Sequence, residues 1–236
     1  MATAAQHRFP TASLQLFAWL TEQLRSPAPH HDEESDTWHV FRHADVAAIY
    51  ADTATFSSDP KELLPQSPIL ERFAGGNIVR MDAPRQPMLR RLVSKAFTRN
   101  RVASLEPRIA AMTAELLDEL PGSADADGVA DLVAGLTYPL PSIVIAELLG
   151  VPATDRQQFR DWADVMLSSQ IDQSEAVLSS DAVDAVAPAM AAMHDYFRDQ
   201  VALRHRSPGG DLISALLAAE VDGDRLSDDA IATFAV

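Results

Sequence analysis

The sequence predicts a mainly α fold with a small β component, on three observations. Apolar residues recur at helical spacing through most of the chain, strand-like alternation is confined to one short stretch, and proline or glycine separates the periodic runs. With 236 residues, 47% of them apolar, the chain can bury a substantial core.

Leu14, Phe17, Leu20 and Leu24 predict a short amphipathic helix that Pro27 and Pro29 interrupt. The run His30, His31, Asp32, Glu33 and Glu34 reads as a solvated loop, since a flexible polar stretch is more often surface than metal site. Trp38, His39 and Val40 alternate like a strand, and Asp45 to Ala51 resumes a helical pattern that stops at Ser57-Ser58-Asp59-Pro60. His39 and His43 flank that junction and should not share a face. From Leu63 to Val79, Pro65, Pro68, Gly75 and Gly76 leave no sustained periodicity, and so long a loop is commonly functional.

Leu89, Leu92, Val93, Ala96 and Phe97 then mark a helix. Leu105, Ile109, Met112, Leu116 and Leu120 mark the next, with Pro107 tolerable in its first turn and Pro121-Gly122 ending it. Asp125-Ala126-Asp127-Gly128 is a turn; the positions after it lack the oxygen ligands of a calcium loop. Leu140, Ile143, Val144, Leu148 and Leu149 are apolar almost all round and predict a helix buried in a bundle, closed by Gly150. Further helices are expected over Asp155 to Met166 and Val183 to Arg204, the second carrying Val183, Val186, Met190, Met193, Phe197 and Val201 on one face. His194 is expected to be partly exposed there. Pro208 and two glycines precede an element over Leu212 to Glu220. Ser227 with Asp228 and Asp229 announces a last helix that stops at Val236, short for an apolar helix that wants partners along its length.

Several functions are excluded by composition. Zero cysteines rule out disulfides, thiolate metal sites and cysteine nucleophiles in these residues. No nucleophile-elbow serine or phosphate-cradling glycine loop is present. A net charge of -15 argues for a soluble cytoplasmic protein without affinity for nucleic acid or membrane. Basic residues are nevertheless concentrated in one place. Arg80 to Arg108 holds eight of them against two acidic ones, a local net of +6 in a remainder of -21. Such segregation indicates a solvated helix face or a specific anionic partner.

Within that segment lies Met81-Asp82-Ala83-Pro84-Arg85-Gln86-Pro87-Met88-Leu89-Arg90-Arg91-Leu92-Val93-Ser94-Lys95-Ala96-Phe97-Thr98. It resembles, in register, the Asp-x-Pro-x-His-x-x-x-Arg stretch and following Phe-Thr pair of soluble cytochromes P450. The resemblance continues in order through Trp38-His39-Val40, Thr55 to Pro60, Leu105 to Ile109, Val144 to Pro152 and Asp211 to Leu216, covering nearly the whole chain.

The resemblance implies the amino-terminal portion of the cytochrome P450 fold: residues 1–236 as a single incomplete domain ending at the start of the long central helix. It implies a heme-thiolate monooxygenase inserting one oxygen atom from dioxygen into a small organic substrate. Arg90 would bond a heme propionate, assisted by Gln86 where the family usually has histidine. Ile78, Val79 and Leu167 would face the substrate, the loop Leu63 to Val79 being the variable pocket loop and the helices around Phe159 to Leu167 and Val183 to Phe197 the mobile lid. Arg91, Lys95 and Arg99 would meet an acidic ferredoxin-type redox partner. The thiolate ligand and the oxygen-activating Ala-Gly-x-x-Thr are missing, so these residues alone are expected to be inactive. The alternative is a heme-free relative that assists a partner enzyme; a bare fragment would instead expose apolar surface along Ile231 to Val236.

Overall fold

The computed structural model describes residues 13–25, 28–33, 36–62, 64–125, 127–170 and 180–236. Helix α1 (Ser13–Gln23) leads to an antiparallel pair, β1 (His30–Asp32) and β2 (Thr37–His39), in which His31 faces Trp38. His30 to Asp32 of the expected loop are therefore a strand, Glu33 is in the turn after it, and Glu34 lies outside the described residues. Ring stacking of His31 on Trp38 at 4.6 Å, and of His30 on His39 at 6.2 Å, gives these polar residues cross-strand partners that no hydropathy pattern reveals. Helix α2 (His43–Ala51) follows. This amino-terminal region is shallow: Phe17 and Trp38 are exposed, and α2 buries no residue.

The loop expected from Leu63 to Val79 contains a short helix, α3 (Pro68–Phe73), which begins at a proline and buries Phe73. Six residues are too few to show a helical period. Next come α4 (Arg85–Ala96), α5 (Arg99–Ala103) and α6 (Glu106–Glu119). A 3₁₀ turn over Leu120–Ser123 and a π turn over Val133–Thr137 lead to α7 (Pro139–Leu149). Between them Asp125 accepts the backbone N–H groups of Asp127 and Val129, so that segment is the expected turn. Gly150 ends α7 at φ 78°, where only glycine is unstrained.

The core is built around α9 (Ser180–Arg206), against which α8 (Arg156–Gln170), α10 (Leu212–Ala218) and α11 (Asp228–Ala235) pack. Val183, Met193, Phe197 and Val201 bury the predicted stripe of α9. Phe197 meets Phe159 of α8 edge-on at 6.1 Å. Leu212, Ile213, Leu216, Ile231 and Ala232 close the other side, and α4 adds Ala96. Each large aliphatic side chain removed from water here contributes about 1.5–3 kcal/mol.

Two expectations change, and the exposed end predicted for a bare fragment is not found. Helix α7 is not buried all round: Ala146 and Leu149 face the core, while Ile145 is 50% exposed. The element after Gly210 stops at Ala218 and is followed by a hairpin, β3 (Glu220–Val221) and β4 (Asp224–Arg225). The apolar residues at the end of the chain are not exposed, since Ile231 and Ala232 have no accessible surface and only Phe234 and Val236 are partly covered.

Candidate functional site

Helix α4 is assembled on a bracket of loop residues. The Asp82 carboxylate accepts the Ser57 hydroxyl and, at 2.8 Å, the Ser58 backbone N–H, joining the two proline turns that the sequence singles out. These bonds, the Ser57 hydroxyl foremost, hold the Asp82 carboxyl below its ordinary pKa. Pro87 falls in the first turn of α4, where a missing N–H breaks no helical bond. Leu89, Leu92 and Ala96 bury one side of the helix.

Gln86 and Arg90 stand one turn apart and share a different side. Gln86 is half-buried and Arg90 exposed, and among the described residues neither side chain has a hydrogen-bond or ion-pair partner. Their neighbours are engaged. Arg85 Nη2 donates to the Gly75 carbonyl at 2.9 Å, Arg91 Nη1 to Asp222 Oδ2 at 3.2 Å, and Lys95 Nζ to the Glu220 carbonyl at 2.6 Å. The redox-surface candidates thus divide: Arg91 and Lys95 are tied to the β3–β4 hairpin, while Arg99 lies exposed at the start of α5. Ile78 is half-buried and Val79 77% exposed, in the turn that leads to Met81. Leu167 belongs to α8, with its side chain outside the described residues. A cleft of about 740 Å³ lies elsewhere, between α6, α7 and α8, and includes none of these residues.

The donor set of α4 fits the carboxylate edge of a heme: a guanidinium and a primary amide, side by side and unengaged, are the groups that receive carboxylates. It does not extend to the iron, because no cysteine is present.

His194 is the residue that sequence reasoning placed wrongly. It is wholly buried, with Nε2 3.3 Å from Thr233 Oγ1 and, among the described residues, no partner for Nδ1. The signal was there, since Met190, His194, Phe197 and Val201 follow one helical face. Burial first, and the Arg72 guanidinium second, push its pKa below the ordinary value.

No family model matches the chain. Among curated proteins it is similar to the erythromycin C-12 hydroxylase of Saccharopolyspora erythraea, 41% identical over 93% of this chain and 52% of that protein. It is similar also to the cyclomarin C epoxidase CymV of Salinispora arenicola, 38% identical over 93% of this chain and 54% of that protein. The nocardicin C N-oxygenase of Nocardia uniformis subsp. tsuyamanensis is 38% identical over 82% of this chain and 46% of its own length. Among solved structures, the open cytochrome P450 EryK of S. erythraea matches with a TM-score of 0.80 at 37% identity, over 94% of this chain and 53% of that one. Cytochrome P450 CYP109Q5 of Chondromyces apiculatus matches with a TM-score of 0.77 at 35% identity, over 95% and 54%. The chain spans about half the length of the curated relatives it matches. By this shared identity and shared fold, extending over nearly all of its residues, the chain belongs to the cytochrome P450 family and carries the amino-terminal portion of that fold.

Proposed function

We propose that the chain is the heme-cradling amino-terminal part of a monooxygenase that inserts one oxygen atom from dioxygen into a small organic substrate. The carrying observation is α4, where Gln86 and Arg90 offer unengaged donors one turn apart for the heme propionates. Ile78 and Val79, on the loop before α4, and Leu167 of α8 are assigned to the substrate side. Arg91, Lys95 and Arg99 are assigned to the side that meets an acidic ferredoxin-type electron donor. The names of the relatives, a hydroxylase, an epoxidase and an N-oxygenase, support oxygen insertion as the reaction class.

When bound, heme supplies the activation of dioxygen, which in this family depends on a cysteine thiolate. The sequence has none, so no oxygen step is assigned to its residues and the chain by itself is inactive. Residues 1–236 are read as one incomplete domain whose last helix, α11, is the beginning of the family's long central helix. A cytoplasmic location is part of the reading, supported by the net charge of -15. No helix among the described residues is long and apolar enough to cross a membrane.

Titration of the purified chain with hemin, followed by reduction and carbon monoxide, tests the proposal. A saturable heme band is expected, with an apparent Kd that Arg90→Ala raises roughly tenfold or more, as befits loss of a charge-assisted bond. The carbon monoxide spectrum should lack thiolate character and no substrate should be oxidised. Absence of heme binding removes the cofactor reading. A second reading is a heme-free relative that binds a partner enzyme, whose fold would rest on the core cluster that α9, α10 and α11 form among themselves. A cooperative melt with no heme binding selects it.

A further inference from the structure

His194 occupies a junction of three elements. From α9 its ring lies beneath Phe73 of α3, edge-on at 5.2 Å, and its Nε2 reaches α11, 3.3 Å from Thr233 Oγ1 and 3.5 Å from Asp229 Oδ1. Contacts around the ring hold the same three elements together. Arg72 of α3 pairs with Asp195 of α9. Gly76, just past α3, lies so close to α11 that a Cβ there would come within 2.5 Å of the Ala230 carbonyl oxygen and 2.6 Å of Thr233 Cβ. No L side chain fits at that position without moving α3 or α11.

The two protonation states of the ring differ in what they demand of this junction. Neutral imidazole has one N–H, which at Nε2 finds Thr233 or Asp229, and the buried Nδ1 is left with only an unused lone pair. Protonated imidazole carries a second N–H at Nδ1, where the described residues offer no acceptor. The charges that act on it come from all three elements: Arg72 from α3, Asp229 from α11, and Asp195 and Arg198 from α9 itself. Arg72 and Arg198 repel an imidazolium. Asp195 attracts one but is already paired with Arg72, and Asp229 is more than half exposed, so water weakens its pull.

We propose that His194 is an acid-released latch: neutral, it lets α3 and the Gly76 turn seat on α9 and α11, and protonated, it drives α3 off that seat so that Nδ1 gains water. Because the folded junction favours the neutral ring, its stabilisation is fully present above the ordinary histidine pKa of about 6.5 and is lost as the pH falls below it toward the depressed folded value. Acid-dependent access to substrate follows where the reading of the neighbouring Ile78–Val79 turn as pocket wall holds. That consequence rests on the proposed function; the latch itself needs neither heme nor substrate.

Amide hydrogen exchange of the 236-residue chain tests it, at about pH 7.5 and about pH 5.5 with intrinsic rates corrected. Residues 68–76 are expected to lose protection roughly threefold or more on acidification, while α10, which carries no titratable side chain, holds its own. His194→Phe keeps the packing against Phe73 without a titrating group, and His194→Gln keeps a donor and an acceptor should the larger ring disturb the fold. In both, protection of residues 68–76 should be independent of pH. An unchanged wild type, or an equal loss in a folded variant, overturns the latch.

Discussion

Arg204, 9% exposed near the end of α9, donates through every nitrogen of its guanidinium: Nε to Asp211 Oδ2 at 3.0 Å, Nη1 to Gln200 Oε1 at 2.6 Å and Nη2 to the Gly150 carbonyl at 2.7 Å. Asp211 uses its other oxygen to cap α10, accepting the Ser214 N–H at 2.8 Å. One side chain therefore fixes the end of α7, the end of α9 and the start of α10. Arg204→Ala leaves the nearly buried Asp211 carboxylate without its counter-charge, and a loss of about 3–5 kcal/mol in denaturant unfolding is expected. Lysine should not rescue it, because a point charge cannot make three divergent bonds. Little of this was legible in the sequence. Gly150 announced itself as a helix end, but its meeting with Asp211 through Arg204, which is 54 residues from Gly150, depends on tertiary packing. Gln86 and Arg90 were singled out because a motif in register carries their positions; what α4 does with its other cations was not legible, since their partners lie on the distant hairpin.

Helices with a long apolar stripe were legible as elements, whereas the six-residue α3 and the five-residue α5 were not. Helix α11 shows the favourable case: Ser227 Oγ accepts the Ala230 N–H at 3.1 Å, and Asp228 and Asp229 occupy the positively polarised first turn. Ser227→Ala should lower stability by about 1 kcal/mol, read as a shift of the urea midpoint at unchanged slope. The β3–β4 hairpin was missed although Asp222-Gly223 is a strong two-residue turn signal, with both residues at positive φ, 55° and 87°. Strands of two residues each are too short to alternate, so only the turn could have betrayed them. The π turn at Val133–Thr137 had no readable signature; Asp131 holds its start by accepting the N–H groups of Val133 and Ala134.

For the whole molecule, the segregated charge resolves into packing. The basic segment meets the acidic hairpin through Arg91 and Lys95, so part of the local +6 is offset inside the fold rather than presented to solvent. The core, in turn, depends on the far end of the chain. Ile231 and Ala232 lie against the same cluster as Phe197 and Leu216, and removing α11 strips one wall from it. A chain ending at Ser227 should lose its cooperative thermal transition, because losses of about 1.5–3 kcal/mol per large side chain soon exhaust a total stability of about 5–15 kcal/mol. A sustained sigmoidal melt would show that α11 is dispensable. The long helix at the centre is itself not uniform. Pro188 lies within α9 and has no N–H to give the Asp184 carbonyl, so the helical ladder lacks a rung there. Downstream, Phe197 is buried in the core and Arg204 bonds Asp211 and the Gly150 carbonyl; upstream, Val183 is buried as well. The ladder of α9 is thus interrupted within two turns of His194, the residue through which this helix meets both α3 and α11.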